Sequence, residues 1–436
     1  MTSPSLRRRL ALLRAYYLAS FIALGLHLPF FPRWLEARGI QGLSMGLVSA
    51  TVPAMGLLAP PIFGLAADAF GLHAALLRIA CGGALALFAL VAAAFSLGHP
   101  LAFAPLFAVF LVYAFFRAPM IMMADVATMQ AIRGTSIPYA RVRLSGSLGF
   151  LAAALFAGRF VDPTSPSALP IAVTLALAAS LLAAWALPAR AETPPAPALA
   201  HARALLGAAD YRLFLLAAFF SQLAHSCYDL CFSLHLRDRG APDDRVGLAW
   251  ALGVVFEVAL MAGSGPIFRR ARAPLLIAIA LGGASLRWAL VAFVPQAGLL
   301  LALQPLHALS FALMWIACLA YNRERAPAEA LATAQGLFSA VIAAGGVLGM
   351  LLWGTIYRSA GGTAAFGAAA IVAGLGFVAA LAFRERHAAS GDAPEEAPEE
   401  APGEAPGEAP GDARGEVPSA ADRATEDRRS RRNVAS

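Results

Sequence analysis

The chain has 436 residues, of which 59% are hydrophobic and only 14% are charged, and its mean hydropathy is +0.69. A soluble protein of this length needs far more charge on its surface, so a soluble enzyme or binding domain is excluded. The formal net charge of +7 is carried by scattered arginines that form no stripe with stacking aromatics, which argues against nucleic acid as a partner.

Apolar runs of about 20 residues, the length that crosses a hydrocarbon core of roughly 30 Å, recur along nearly the whole chain. The basic start RRRLALLRAYY leads into a long segment without a small-residue cleavage site, so we interpret it as a retained first span. Twelve spans are predicted near 14–34, 44–67, 75–97, 101–127, 141–161, 168–188, 211–236, 245–268, 274–295, 298–322, 331–357 and 363–384. The predicted fold class is an all-α membrane protein.

Composition divides the chain into four parts. A six-helix half is predicted at 1–188, a polar cytoplasmic linker at 189–210 and a second six-helix half at 211–384. The remainder, 385–436, contains the repeat EEAPEEAPGEAPGEAPGDARGE and the cluster RRSRR, and it is predicted to be a disordered cytoplasmic tail. Most arginines outside the spans lie on the side of the N-terminus, which predicts that both termini are cytoplasmic in a bacterial inner membrane.

The two predicted halves share sequence at a constant offset. LEARG at 35–39 matches LRDRG at 236–240, an offset of 201, and GSLG at 146–149 matches GVLG at 346–349, an offset of 200. These matches predict a duplicated unit and two pseudo-symmetric halves. Internal repeats of this kind are typical of secondary transporters, whose sites lie at the repeat interface.

Ionisable residues inside the spans are the candidate functional groups, because a charge at a helix centre costs roughly 2.5–3.5 kcal/mol on insertion scales. The candidates for the substrate and proton site are His27, Tyr113, Arg117, His225, Asp229, Gln304 and His307. Three pairs of them share a helix face by spacing: Tyr113 with Arg117, His225 with Asp229, and Gln304 with His307. An alternative is that Arg117 and Asp229 form a static buried pair, and that each histidine only hydrogen-bonds to a neighbouring helix.

Four further charged residues are predicted to have structural or gating roles. Glu257 and Arg287, on adjacent spans at similar depth, are expected to meet as a buried ion pair. Asp125 and Arg143, at the cytoplasmic ends of the fourth and fifth spans, are expected to form a gate or clamp pair.

Several blocks resemble a known family: GLAADAFGLHAALLR (64–78), LPFFPRWLEARG (28–39), RVRLSGSLGF (141–150), WALGVVFEV (250–258), LRWAL (286–290) and LHALSFALMW (306–315). The chain is similar to the major facilitator superfamily, in the branch that contains 3-phenylpropionate permeases and nucleoside–proton symporters. The resemblance covers about residues 14 to 384. It implies twelve helices, with the first, fourth, seventh and tenth lining a central cavity.

The predicted function is proton-coupled symport of a small organic solute by alternating access, with an aromatic or other small organic acid favoured. Asp229, assisted by His225, is expected to titrate, and Arg117 is expected to pair with a substrate carboxylate. The alternatives are an efflux antiporter of amphipathic compounds and a transport-dead sensor that docks through its tail.

The expected partners are the solute, protons and lipid, and the chain is expected to act as a monomer. The sequence contains no P-loop, HExxH or nucleophile elbow, so no enzyme activity, cofactor or metal is predicted.

Overall fold

The computed structural model describes residues 4–186, 199–327 and 330–389, and these ranges contain helices and no strands. The N-terminal segment (4–186) contains α1 (Pro4–Glu36), α2 (Leu43–Phe70), α3 (His73–Ser96), α4 (Phe103–Arg117), α5 (Pro119–Ile132), α6 (Tyr139–Phe160) and α7 (Ala168–Trp185). The C-terminal segment (199–327 and 330–389) contains α8 (Leu199–Gly207), α9 (Ala209–Asp238), α10 (Asp243–Ala262), α11 (Gly265–Arg270), α12 (Ala273–Phe293), α13 (Ala297–Ala302), a π-helical turn (Ala308–Leu313), α14 (Met314–Arg325) and α15 (Leu331–Ala389).

Ten helical stretches of the described residues are long and apolar enough to cross a membrane. The chain is therefore a multi-pass membrane protein. One of the ten, Phe103–Ile132, joins α4 and α5, and the two helices meet where Pro119 begins α5. Proline is favoured at the first turn of a helix, where its missing N–H leaves no hydrogen bond unmade.

Two differences explain why ten stretches are found where the sequence predicts twelve spans. The predicted tenth span falls on α13, the π-helical turn and α14, so it contains no single helix of sufficient length. The predicted eleventh and twelfth spans lie together in α15, which is broken at Gly361, where φ is +77°. Glycine adopts this left-handed conformation without the steric cost that a Cβ would add.

The predicted tail lies mostly outside the described residues, and so does the first part of the predicted linker. Residues 187–198 are not described, and the rest of the predicted linker contains α8. At the other end, α15 continues to Ala389, while 390–436 lie outside the described residues.

Close helix packing depends on glycine at several crossings. Within the N-terminal segment α1 packs on α6 and α7, and between the segments α6 packs on α10 and α2 packs on α15. A Cβ on Gly158 would lie 2.6 Å from the carbonyl oxygen of Asp243, and a Cβ on Gly46 would lie 2.5 Å from that of Met350. The two crossings between segments are therefore backbone-to-backbone contacts. All four cysteines are free and buried.

Candidate functional site

A cavity of about 300 Å³ lies between the N-terminal and C-terminal segments. From the N-terminal segment it is lined by Phe21, Leu24, Leu28, Arg143, Ser147 and Phe150. From the C-terminal segment it is lined by Gln222, His225, Tyr228, Asp229, Trp250, Val254, Glu257, His307 and Phe311. The cavity thus combines aromatic walls with two carboxylates, two imidazoles and one guanidinium.

A buried arginine supports one wall of this cavity. Arg287 is fully buried, and its guanidinium donates to Nδ1 of His307 at 3.1 Å, to Oγ of Ser310 at 2.8 Å and to Oε1 of Gln304 at 3.2 Å. The guanidinium also lies over the rings of Tyr228 and Trp288, with its central carbon 4.6 and 4.5 Å from their centroids. Arg287 is therefore held in place by hydrogen bonds and by aromatic faces.

The contact with Arg287 determines which nitrogen of His307 carries a proton. A guanidinium has donors only, so Nδ1 of His307 must accept and the ring proton lies on Nε2. Nε2 in turn lies 3.7 Å from Oε2 of Glu257. Arg287, His307 and Glu257 therefore form a row of three contacting polar side chains, and His307 and Glu257 line the cavity.

This geometry corrects the predicted direct pair of Glu257 with Arg287. The two side chains do not meet, because the imidazole of His307 lies between them. Gln304 and His307 both turn toward Arg287, but Gln304 lies in the turn after α13, so the two residues do not share a helix face as their spacing predicted. Gln304 is fully buried, accepts from the hydroxyl of Tyr228 at 3.1 Å and does not line the cavity.

His225 and Asp229 form a second polar cluster on α9. Nε2 of His225 lies 3.6 Å from Oδ1 of Asp229, and both residues line the cavity. The ring of His225 stacks on Phe311, which also stacks on His307, so one phenyl ring touches both imidazoles. The π-helical turn contains Phe311, and such turns occur frequently at functional sites.

The N-terminal candidates His27, Tyr113 and Arg117 lie apart from this cavity. The ring of His27 stacks on that of Phe31 with centroids 4.2 Å apart. The ring centroid of Tyr113 lies 6.2 Å from that of His27. Arg117 is close enough to act electrostatically on His27 and Tyr113. The polar candidates of the four spans therefore do not meet at one cavity. His225, Asp229 and His307 line it, whereas His27, Tyr113 and Arg117 do not.

Arg143 lines the cavity instead of Arg117. Its guanidinium lies over the ring of Phe21 at 4.0 Å, and its Nε is 4.0 Å from Oδ1 of Asp125. That carboxylate already accepts from the hydroxyls of Tyr17 at 2.6 Å and Tyr139 at 2.7 Å. The predicted Asp125–Arg143 pair is thus a long contact, and it leaves the Arg143 guanidinium at the cavity wall.

Gly146 provides the space that the Arg143 guanidinium occupies. A Cβ on Gly146 would lie 2.7 Å from Nη1 of Arg143 and 3.0 Å from the ring of Phe21. Any larger residue at this position would therefore push the guanidinium away from Phe21.

Sequence reasoning missed the aromatic walls and Gln222. Trp250 lines the cavity, and its Nε1 donates to Oγ of Ser233 at 3.0 Å. Trp250, Val254 and Glu257 follow one face of α10, so counting back from the charged residue at helical spacing would have found the tryptophan. The same count on α9 finds Gln222 from His225 and Asp229.

A multi-pass helical protein with a polar and aromatic cavity between its two segments is a membrane transporter in architecture. The MFS_1 like family model matches residues 10–368, and the chain belongs to this family, whose members are transporters of the major facilitator type and not enzymes. The chain is 26% identical over 358 residues to the "Probable 3-phenylpropionic acid transporter" of Escherichia coli (strain K12), which covers 79% of this chain and 90% of that protein.

Two other similarities extend this result. The chain is 27% identical over 334 residues to the "Maltose permease" of Geobacillus stearothermophilus, covering 75% of this chain and 82% of that one. The crystal structure of the nucleoside transporter NupG superimposes with a TM-score of 0.73 at 18% identity, over 86% of this chain and 98% of that chain. The structural similarity establishes the fold.

Proposed function

We propose that this chain is a secondary active transporter that moves a small organic solute together with protons by alternating access. The observation that carries the proposal is the charged and aromatic cavity between the N-terminal and C-terminal segments. Its volume of about 300 Å³ is at the lower end of the roughly 300–1,000 Å³ of small-molecule sites, which favours a small solute.

The proposed architecture has twelve membrane helices in two six-helix halves, 1–188 and 211–384, joined by a cytoplasmic linker. The break at Gly361 supports two spans within α15, and α13, the π-helical turn and α14 together account for the tenth. The arginine distribution supports cytoplasmic termini in a bacterial inner membrane. On this orientation the ends of α1 and α9 at Glu36 and Asp238 face the outside. We propose that the protein acts as a monomer.

The balance of charge in the cavity supplies a mechanism for coupling. Two carboxylates, Asp229 and Glu257, face one cavity guanidinium, Arg143. With both carboxylates ionised the net charge of these three groups is about −1 and the cavity repels an anion; one proton neutralises it, and a second leaves the charge of Arg143 to attract an anion. Two charges about 4 Å apart interact with about 4 kcal/mol at an effective dielectric of 20, so a proton changes anion binding substantially.

A negatively charged solute and protons therefore bind together, which is symport. Moving a two-state equilibrium from 1:99 to 99:1 takes about 5.5 kcal/mol of differential interaction, and one or two such charge contacts are of that size. We propose that Asp229 with His225, and Glu257 with His307, are the groups that accept protons, and that Arg287 fixes His307 in its orientation.

The substrate class that this cavity favours is a small aromatic carboxylate. Arg143 offers a cation for the carboxylate, and Phe21, Phe150, Tyr228 and Trp250 offer flat surfaces for a ring. The printed name of the Escherichia coli relative, a probable 3-phenylpropionic acid transporter, agrees with this assignment. The Geobacillus stearothermophilus relative is named a maltose permease, so sugars belong among the solutes to be tested.

One observation favours a second candidate function. Because carboxylates outnumber guanidinium groups at the cavity wall, the ionised cavity suits an amphipathic cation. A cation and protons would exclude each other there, which is antiport and would drive efflux.

Flux measurements in proteoliposomes distinguish the two. Purified protein would be reconstituted, a pH gradient with an alkaline lumen imposed, and labelled 3-phenylpropionate, maltose, a nucleoside and an amphipathic cation each supplied outside. Symport predicts accumulation of one of the neutral or anionic solutes that stops when an ionophore removes the gradient. If only the cation accumulated, and only when the gradient was reversed so that the lumen was acidic, the antiport function would replace the proposal.

A further inference from the structure

Two ion pairs join the N-terminal and C-terminal segments at the end of the molecule where α1 and α9 finish. Glu36 at the end of α1 pairs with Arg237 near the end of α9. Arg33, one turn earlier on α1, pairs with Asp243 at the start of α10. Both pairs are partly shielded from solvent, because the side chains of Arg33 and Glu36 are 9% and 18% exposed.

The first pair is made by equivalent positions of the internal repeat. Glu36 and Arg237 occupy the same place in LEARG and LRDRG, at the offset of 201. The repeat therefore has a carboxylate in one copy and a guanidinium in the other, at a position where the two copies meet.

The next pair of equivalent positions with charged side chains, Arg38 and Arg239, forms hydrogen bonds within each segment and not between the segments. Arg38 donates to the carbonyl oxygen of Ser165 at 2.7 Å, within the N-terminal segment. Arg239 donates to the carbonyl oxygen of Ala292 at 3.2 Å and to Oγ1 of Thr363 at 3.0 Å, within the C-terminal segment. Two arginines at matching depth thus hold each segment together, while Glu36 and Arg237 connect the segments.

A small crevice of about 190 Å³ lies beside the Glu36–Arg237 pair. Its wall includes Asp238, which accepts from the hydroxyl of Tyr357 at 2.6 Å, and Cys231, whose side chain is fully buried. Gly354, also in this wall, meets the backbone just before α2, since a Cβ there would lie 2.5 Å from the carbonyl oxygen of Gly42.

The backbone contacts and the ion pairs have different consequences for opening. A glycine contact fits closely but offers few side-chain atoms that attract across the interface. The ion pairs supply directed attraction between the segments, and breaking one leaves a partly buried charge without its partner. The ion pairs are therefore the contacts at this end whose loss removes attraction between the segments without altering the close backbone packing.

We propose that the Glu36–Arg237 and Arg33–Asp243 pairs form a latch that closes the extracytoplasmic end of the protein and must release before the central cavity can open to the outside. This inference rests on the proposed function, because alternating access and cytoplasmic termini define which end is outside.

Cys231 provides a direct measure of latch opening. In cells that express the variant Cys81→Ala, Cys227→Ala, Cys318→Ala, the remaining thiol would be labelled from outside with a membrane-impermeant maleimide. In this background we expect Glu36→Gln, and separately Arg237→Gln, to raise the labelling rate by about tenfold, which corresponds to about 1.4 kcal/mol in the opening equilibrium. The charge-swapped double variant Glu36→Arg, Arg237→Glu is expected to return labelling toward the starting rate.

Arg239→Gln is the matched control, because it removes an arginine at similar depth that bonds within one segment. We expect it to leave labelling of Cys231 unchanged. Equal labelling in the Glu36, Arg237 and Arg239 variants would overturn the latch, as would a swapped variant that labels as fast as either single variant.

The labelling result is independent of the transported solute. If the unaltered chain moves no solute with protons while the latch variants still expose Cys231, the proposed function fails and the latch stands. If the unaltered chain transports and labelling does not change, the latch alone is wrong.

Discussion

Arg287 donates a hydrogen bond of 3.1 Å to Nδ1 of His307, and this contact turns the Nε2 side of the ring toward Glu257. The two residues are 20 positions apart, on α12 and just before the π-helical turn, so the chain must fold before they meet. A protonated imidazole has a donor on both nitrogens, so a proton on Nδ1 of His307 requires that it separate from Arg287. Proton uptake and side-chain rearrangement are thereby linked at one bond.

Arg287→Gln is expected to lower proton-driven uptake by about 10–100-fold, by analogy with the loss of residues that orient metal-bound histidines. The uptake assay should be run from pH 5.5 to 8.5 at a constant gradient, because a freed His307 changes the shape of the pH profile as well as the rate. Ser310→Ala removes a different partner of Arg287 and is the control. If the two variants gave the same pH profile as the unaltered chain, Arg287 would have only a packing role.

Asp229→Asn is expected to separate exchange from accumulation. The amide keeps the shape of the carboxyl group but cannot take up a proton, so solute still binds and exchanges across the membrane while accumulation driven by the pH gradient is lost. Counterflow and gradient-driven uptake should be measured on the same proteoliposomes. Accumulation at the unaltered level would show that Asp229 is not a coupling residue.

Arg143→Gln and Arg117→Gln provide a comparison between two arginines of the N-terminal segment. Arg143 lines the cavity, so its loss should weaken binding of a carboxylate solute by about 1.5–3 kcal/mol, which is a rise of about tenfold or more in KM. Arg117 lies near His27 and does not line the cavity, so its loss should have a smaller effect on KM. The reverse order of effects would return the substrate-binding role to Arg117.

The difference between these two arginines illustrates what the sequence could and could not predict. Hydropathy predicted the helices because membrane spans need long apolar runs, and spacing predicted that His225 and Asp229 share a face of α9. Spacing does not say toward which neighbour that face is turned. Arg117 was expected at the cavity and lies near His27, whereas Arg143 was expected at a gate and lines the cavity.

The aromatic walls were harder to predict for a related reason. Phe150 and Trp250 come from α6 and α10 and meet with centroids 6.3 Å apart, a contact between residues 100 positions apart in the sequence. In an apolar span most aromatic residues face lipid or pack in a helix interface, so composition does not distinguish those that line a cavity. The charged residues of the cavity could be predicted because placing a charge inside a membrane span costs free energy, so each such residue marks a candidate site.

The crossing of α6 and α10 should be sensitive to a single methyl group. In Gly247→Ala the new Cβ would contact the carbonyl oxygen of Ala154 and lie 3.2 Å from Cα of Gly158. Overpacking of this kind costs about 1–3 kcal/mol, so we expect a lower midpoint of thermal unfolding in detergent. Gly56→Ala, where a Cβ meets nothing within 4 Å, should unfold like the unaltered chain. A Gly247→Ala variant as stable as Gly56→Ala would show that the crossing tolerates separation.

The most direct test of coupled transport is the movement of protons when solute is added. Proteoliposomes without an imposed gradient would be suspended in a weakly buffered medium, and the external pH recorded as 3-phenylpropionate, maltose or a nucleoside is added. Symport predicts that the medium becomes more alkaline with the transported solute, and that Asp229→Asn removes the response. Uptake of labelled solute with no change in external pH, or with acidification, would contradict proton-coupled symport.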